Sequence, residues 1–336
     1  MPAEVLSTET PAQFRQAVTR AVEWLRSGEV AALPTETVYG LAANALDAAA
    51  VKKIFELKGR PAHNPVIVHV ASWELTRKCA ADWPVTAERL ARAFWPGPLT
   101  IVLRRSSLIP DGVTAGGGTV GIRWPSHPFM QAVIRDCGFP LAAPSANRAN
   151  EVSPTTASHV LRSLGDRLGL IVDGGPSQVG IESTVVDLSE REPRVLRPGM
   201  IHEESLAAAL GGDLIGAAGV GGTLRSPGQL PRHYSPRAKL TTFAWSNNEE
   251  LLRQSAAAGI ARTKAVVIAH THLPSTEGWS GVNLIPHDPE AYARALYAEW
   301  HRCDEHGVEW IVMEAVPDAP EWRGIADRLK RAAARD

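Results

Sequence analysis

Cysteine is scarce in this chain: Cys79, Cys137 and Cys303 are odd in number and far apart. That argues against a disulfide framework and a cysteine-built zinc site, and it fits a reducing compartment. No apolar run is long enough to span a bilayer. Residues 1–10 lack the basic-then-apolar order of a signal peptide, so a cytoplasmic location is expected. Net charge is missing too, since 35 Lys and Arg stand against 36 Asp and Glu, leaving −1 at pH 7. Any anion site must therefore be built locally, from a few cations and backbone N–H groups. The chain has no G-x-x-x-x-G-K-[ST] loop and no G-x-G-x-x-G fingerprint, which disfavours the common NTPase and dinucleotide folds. No tight His, Cys, Asp and Glu cluster offers a metal cage. His270-Thr271-His272 and Cys303 with His306 are loosely spaced and read as structural. Any Mg2+ is then expected on substrate phosphates, not on protein ligands.

What is present is a full apolar core. Hydrophobic residues make up 44% and charged residues 21% of 336 positions, which points to two ordinary globular domains. Phe14, Val18, Ala21 and Leu25 form one apolar stripe and predict a helix over 11–27. Further helices are expected at 48–57, 86–94, 128–137, 156–164 and 203–210. Strands are expected at 30–33, 66–70, 99–103, 119–123, 141–143, 170–172 and 183–187. Their irregular alternation favours a mixed α/β sheet over a doubly wound parallel one. A Gly- and Pro-rich stretch over 211–237 reads as a linker between a domain over 1–210 and one over 238–336. Beyond it, strands at 239–244, 265–269 and 310–313 alternate with helices at 248–258, 289–303 and 319–334, a small parallel α/β pattern.

Several loops carry chemistry. Residues 34–41, PTETVYGL, follow a buried strand, where α/β folds place ligands, and offer hydroxyls and a carboxylate. Lys58-Gly59-Arg60-Pro61 sets a compact charge and a planar fork one residue apart at a helix end, a pattern suited to a phosphate chain or to a plain helix cap. Ser145 and Asn147 follow an apolar strand and can donate to phosphate or ribose without adding charge. Ser153 has a plainer reading as a helix N-cap. Arg123 ends a strand, either as a carboxylate clamp or as a surface ion-pair residue. Residues 173–184 form a Gly-rich loop into a strand, able to offer N–H groups to an anion, although a hairpin turn is the plainer reading. Arg197 is placed by a Pro-Gly turn, and His69 lies inside an apolar strand.

Taken in order, PTETVYGLAANA, KGRPAHNPVIVHV, WPGPLTIVL, VGIRWPSHP, PLAAPSANRANEVSPT, IVDGGPSQVGIESTVVDL and VLRPGMI resemble the YrdC-type threonylcarbamoyl-AMP synthases, in their long form with a C-terminal Sua-type domain. The resemblance implies a YrdC-like twisted mixed-sheet domain with an electropositive cavity, then a small Rossmann-like domain. It implies that Lys58, Arg60, Ser145 and Asn147 form the catalytic signature. Asn64, Thr119, Ser153, Arg197, His233 and Tyr234 join them around ATP, with Mg2+ bound to the nucleotide. Thr37, His69, Arg123, the Ala143 backbone and Ser183 fall around L-threonine. In the linker, Leu230-Pro231-Arg232 stands where long-form enzymes usually carry an apolar-Tyr-basic step.

The implied reaction joins L-threonine, bicarbonate and ATP into threonylcarbamoyl-adenylate with release of pyrophosphate. The product would pass to a transferase that modifies tRNA, with tRNA itself at most a weak contact and no membrane partner. Two other classes fit parts of the pattern. One is a carbamoyl-transfer enzyme of the YrdC superfamily, disfavoured by the missing cysteine pairs. The other is an RNA-binding module, disfavoured by the neutral charge.

Overall fold

The computed structural model describes residues 3–212, 225–227 and 234–334. The chain divides into two compact units, Met1–Ala149 with Ser153–Leu230 and Asn150–Val152 with Pro231–Asp336. The first unit opens with β1 (Glu4–Ser7), α1 (Pro11–Arg26), β2 (Ala31–Leu33), β3 (Gly40–Asn44), α2 (Ala48–Lys58) and β4 (Val68–His69). It continues through α3 (Trp73–Cys79), α4 (Val85–Phe94), β5 (Leu99–Arg104), α5 (Asp111–Thr114), β6 (Thr119–Arg123) and α6 (Pro128–Cys137). The elements β7 (Leu141–Ala142), α7 (Ala157–Leu164), β8 (Leu170–Asp173), β9 (Thr184–Asp187), β10 (Arg194–Arg197) and α8 (Glu203–Leu210) complete it.

Among the described residues these ten strands form one sheet in the order β1-β8-β2-β3-β7-β4-β6-β5-β9-β10. Parallel pairs (β1 with β8, β2 with β8, β4 with β6, β5 with β9) occur together with antiparallel ones, so the sheet is mixed as expected. The helices start and stop where local chemistry says they should. Thr10 and Gln13 make a reciprocal capping box ahead of Pro11, and α1 buries Ala17, Val18, Ala21, Val22 and Leu25. Asp47 caps α2 by accepting from Ala49 and Ala50, and Gly59 ends it in the left-handed region at φ 61°. That stop makes Lys58 the last helical residue and leaves it buried.

Five elements of this unit, among them the one-turn helix α5, carry no clear sequence signal. The strand β3 reads Gly-Leu-Ala-Ala-Asn, without a branched or aromatic residue. It is extended because it pairs antiparallel with both β2 and β7. Both β1 and β10 are short edge strands, and α3 is a seven-residue helix capped by Ser72. The glycine-rich stretch after β8 is not the hairpin that its composition favours. The strand β8 lies between β1 and β2, while β9 lies between β5 and β10, so residues 174–183 cross the sheet.

The second unit contains β11 (Lys239–Phe243), α9 (Asn248–Ala257), β12 (Ala265–Ala269), β13 (Gly281–Leu284), α10 (Pro289–Glu305), β14 (Trp310–Glu314) and α11 (Arg323–Ala333). Its four strands are all parallel, in the order β11-β14-β12-β13. The expected last helix divides into a 3-10 turn at Pro320–Trp322 and α11. At the end of β14 the Glu314 carboxylate accepts the backbone N–H groups of His270, Thr271 and His272 and pairs with His272 Nδ1 at 2.9 Å. The three cysteines are free and buried, and burial pushes each thiol up to about 12. No described helix is long and apolar enough to cross a membrane.

Gly199, just after β10, tests how tightly the sheet end is packed. A Cβ there would meet the Thr184 backbone nitrogen at 2.6 Å and the Glu182 carbonyl at 3.0 Å. Backbone cannot give way as a side chain can. Gly199→Ala is expected to destabilise the chain by about 1–3 kcal/mol in denaturant unfolding. An unchanged midpoint would contradict this packing.

Candidate active site

The loop between β2 and β3, residues 34–39, is buried throughout and organises its neighbours. Tyr39 N donates to Pro154 O (2.8 Å), Leu41 N to Pro144 O (2.7 Å) and Ala146 N to Tyr39 O (2.8 Å). Val179 N donates to Glu36 O (2.7 Å) and Gly180 N to Thr37 O (3.1 Å). Inside the loop Thr35 Oγ1 donates to Val38 O (2.6 Å), which fixes the turn. Three segments that the sequence presents separately, around 144–147, 153–155 and 174–183, therefore converge on one loop.

Beside it, sheet register builds a polar row. His69 on β4 is paired with Arg123 on β6, and Arg123 with Thr100 on β5. Arg123 is neither exposed nor a surface pair. Its Nη2 lies 2.8 Å from Glu36 Oε1, with both side chains 4% exposed. Its Nη1 donates to Thr37 Oγ1 (2.8 Å) and its Nε to Gly97 O (3.3 Å). Burial alone would raise the Glu36 carboxyl, but the Arg123 charge and the Ser126 N–H at 3.0 Å hold it below its ordinary value. Burial, reinforced by the Arg123 charge, lowers His69 to about 3, so its ring is neutral at physiological pH. Glu36 Oε2 and His69 Nδ1 have no hydrogen-bond partner, while Arg123 Nη2 meets Glu36 Oε1 as an ion pair without hydrogen-bond geometry. An unmade hydrogen bond on a buried polar atom costs about 1–3 kcal/mol. Two of them, on a loop and on the neighbouring β4, beside that ion pair, mark a place for a small polar ligand.

The row continues toward the other sheet edge. Thr100 Oγ1 and Ser183 Oγ are 2.8 Å apart. Arg197, at the end of β10, donates to Ser183 O (3.0 Å) and Ser183 Oγ (3.1 Å), and reaches Pro227 O (3.4 Å). Arg225 of the described linker pairs with Asp187 (2.9 Å) and Glu190 (3.1 Å). Residues 225–227 are thus tied to this end of the sheet.

A second polar group lies at the end of α2 and over residues 145–147. Lys58 Nζ donates to the carbonyls of Ser145 and Asn147 and to Asn147 Oδ1 (3.3 Å). Arg60 donates to Asn64 O (3.0 Å), Asn64 Oδ1 (2.7 Å) and Pro65 O (2.7 Å). Ser145 bridges to Gly40, which places it next to the 34–39 loop. The Ala143 N–H is taken by Ile67 O (3.0 Å). Ser153 is not the helix cap its position allows. Thr156 caps α7, while Ser153 Oγ donates to the buried Glu182 carboxylate at 2.6 Å. Thr119 stands on the same face as Arg123 at the opposite end of β6, roughly 13 Å away at ordinary strand rise.

Two linker residues behave differently. His233 lies outside the described residues. Tyr234 belongs to the second unit, buried with its ring 6.1 Å from Tyr297 and the Arg328 guanidinium 5.2 Å above it. Sequence reasoning offered the carboxylate of the 34–41 loop, Glu36, with its hydroxyls to a small polar substrate but named no partner for it, and gave Glu182 no role. Their partners, Arg123 and Ser153, are distant in sequence. Only the hydroxyl-carboxylate-hydroxyl order around Glu36 hinted at it. Among the described residues no group of three or more His, Cys, Asp or Glu side chains could hold a metal ion.

The depressed His69 value has a signed consequence. Its stabilising contribution is full above the ordinary 6.5 and is lost as pH falls from there toward about 3. His127, also lowered by burial, adds to the same slope. Unfolding free energy is expected to drop between about pH 7 and 5 in wild type, and less steeply in His69→Gln. Equal slopes would contradict a buried neutral His69.

Residues 23–199 match the family profile described as telomere recombination, that of the Sua5, YciO and YrdC proteins. Residues 201–334 match the threonylcarbamoyl-AMP synthase C-terminal domain. The chain is 39% identical over 322 residues to the threonylcarbamoyl-AMP synthase of Pyrococcus abyssi, covering 93% of each. It is 38% identical over 339 residues to that of Bacillus subtilis, covering 98% of this chain and 94% of the relative. Its fold is similar to the crystal structure of P. abyssi Sua5 complexed with L-threonine, with a TM-score of 0.88 and 36% identity over 99% of this chain and 98% of that one. On this agreement across both units, the chain belongs to the threonylcarbamoyl-AMP synthase family, in its two-domain form.

Proposed function

We propose that the chain is a nucleotidyltransferase that makes L-threonylcarbamoyl-adenylate from L-threonine, bicarbonate and ATP, releasing pyrophosphate. The observation that carries this reading is a set of two buried charge patterns in the first unit, one on the 34–39 loop and one joined to it through residues 145–147. One is a buried carboxylate–guanidinium pair with orphaned polar atoms, matched to a zwitterion. The other is a pair of buried cations, Lys58 and Arg60, whose partners include neutral oxygens, matched to a phosphate chain.

The threonine carboxylate lies on Arg123, with Thr37, His69, Ser183 and the Ala143 backbone around the amine and hydroxyl. The amine adds to bicarbonate-derived CO2, and the resulting N-carboxylate attacks the α-phosphate of ATP in line. No covalent enzyme intermediate is needed, so catalysis rests on positioning and on charge placed where charge develops. Lys58 and Arg60 neutralise phosphate oxygens, while Ser145, Asn147, Asn64, Ser153, Thr119 and Arg197 orient the nucleotide. Mg2+ enters as part of the nucleotide substrate. The mixed anhydride product is reactive, which favours passage within the cytoplasm to a transferase acting on the adenosine at tRNA position 37.

Replacing Lys58 or Arg60 by Ala is expected to lower threonine-dependent pyrophosphate release on the order of 100-fold, the scale of one preorganised electrostatic group. Turnover equal to wild type, with threonine and bicarbonate both supplied, would remove these residues from the chemistry.

A further inference from the structure

Resting on the threonine reading above, we propose that Glu36 is the group that receives the substrate's ammonium and takes its proton. The geometry argues for this in three steps. First, an amino acid arrives as a zwitterion, and a guanidinium clamp answers only its carboxylate. Its ammonium needs an acceptor anion in the same dry place. Second, Glu36 is the carboxylate in contact with Arg123, and its contacts are one-sided. Oε1 takes both Arg123 and the Ser126 N–H, while Oε2 is buried and has no partner. Third, the other titratable groups bearing on Glu36 are His69 on β4 and His127 at the start of α6. Burial lowers both, so neither adds a positive charge near neutrality.

The same contact supplies a reason for the proton to move. In the free site Arg123 keeps Glu36 ionised against its burial. A substrate carboxylate draws the guanidinium to itself, and the burial of Glu36 then favours its neutral form. The N–H bond of the ammonium breaks, its electron pair stays on nitrogen, and an O–H bond forms at Glu36. Passing that proton to bicarbonate releases CO2 and water and restores the Glu36 carboxylate. Addition of the amine to CO2 forms the N–C bond, moves one C=O electron pair onto oxygen, and gives the remaining nitrogen proton to the restored Glu36 carboxylate, which returns it to solvent. The sum is ammonium plus bicarbonate giving N-carboxylate, water and one proton, balanced in atoms and charge.

The test is the pH dependence of kcat/KM for L-threonine in the full chain, read as pyrophosphate release at saturating ATP and bicarbonate. Wild type is expected to be nearly flat from about pH 7 to 8.5, because it binds the ammonium form and deprotonates it in place. Glu36→Gln is expected to fall on the order of 100-fold at pH 7. The deficit should shrink by about tenfold per pH unit, since only substrate already carrying a free amine can react. A constant ratio of variant to wild type across pH would reduce Glu36 to a structural role and overturn the proposal. A wild-type profile that itself climbs about tenfold per unit would overturn it as well, and needs no variant to fold. Absence of threonine-dependent pyrophosphate release from wild type at every pH would instead overturn the underlying reading of the reaction.

Discussion

The contact on which the site depends is the buried ion pair between Arg123 and Glu36. Taking two charges out of water costs several kcal/mol each, and their attraction repays this only when the remaining donors and acceptors are satisfied. Here they are not: Glu36 Oε2 is left over, and Arg123 Nη2 meets Glu36 Oε1 without hydrogen-bond geometry. As a stabilising device the pair is therefore poor. As a preformed receptor for a molecule with one positive and one negative end it is well arranged, because the missing hydrogen bonds are those that such a molecule supplies. The surrounding structure keeps the pair in place. Cross-strand register sets Arg123 between His69 and Thr100, and the 34–39 loop is stapled to three other segments so that Glu36 cannot swing into solvent.

That arrangement explains why the sheet is mixed. Antiparallel pairing of β3 with β2 and β7 brings a short buried loop and the 144–147 segment side by side. Parallel pairing of β4 with β6 then lines up His69 and Arg123. The left-handed stop at Gly59 ends α2 so that Lys58 reaches the 145–147 carbonyls, while Arg60 folds back on Asn64 and Pro65. The Arg123–Glu36 pair thus sits on the loop itself, while Lys58 reaches it through residues 145–147. The second unit is a different kind of object, a small all-parallel sheet in which Glu314 satisfies its own backbone N–H groups.

Much of this was legible in the sequence. The helix at Pro128–Cys137 and the strand at Thr119–Arg123 follow from caps, glycine stops and branched residues, which act locally. The Lys58-Gly59-Arg60 pattern carried its helix stop in three residues, since Gly59 ends α2 in the left-handed region. What was hidden is non-local. The β3 strand owes its state to neighbours, not to Gly-Leu-Ala-Ala-Asn, and the glycine-rich 174–183 segment crosses the sheet because β8 and β9 are far apart in it. Ser153 looked like a cap because the Glu182 carboxylate that binds it comes from another loop. Glu36 needed Arg123 beside it before its carboxylate meant anything.

The central claim is that one buried pair recognises both ends of the amino acid, and it can be probed from the ligand side. Calorimetric titration of the full chain would compare L-threonine with L-threonine amide, which lacks the carboxylate, and N-acetyl-L-threonine, which lacks the ammonium. Each loses a charge-assisted contact in a buried site, so each is expected to bind on the order of 100-fold more weakly. Either derivative binding as tightly as L-threonine would contradict the account.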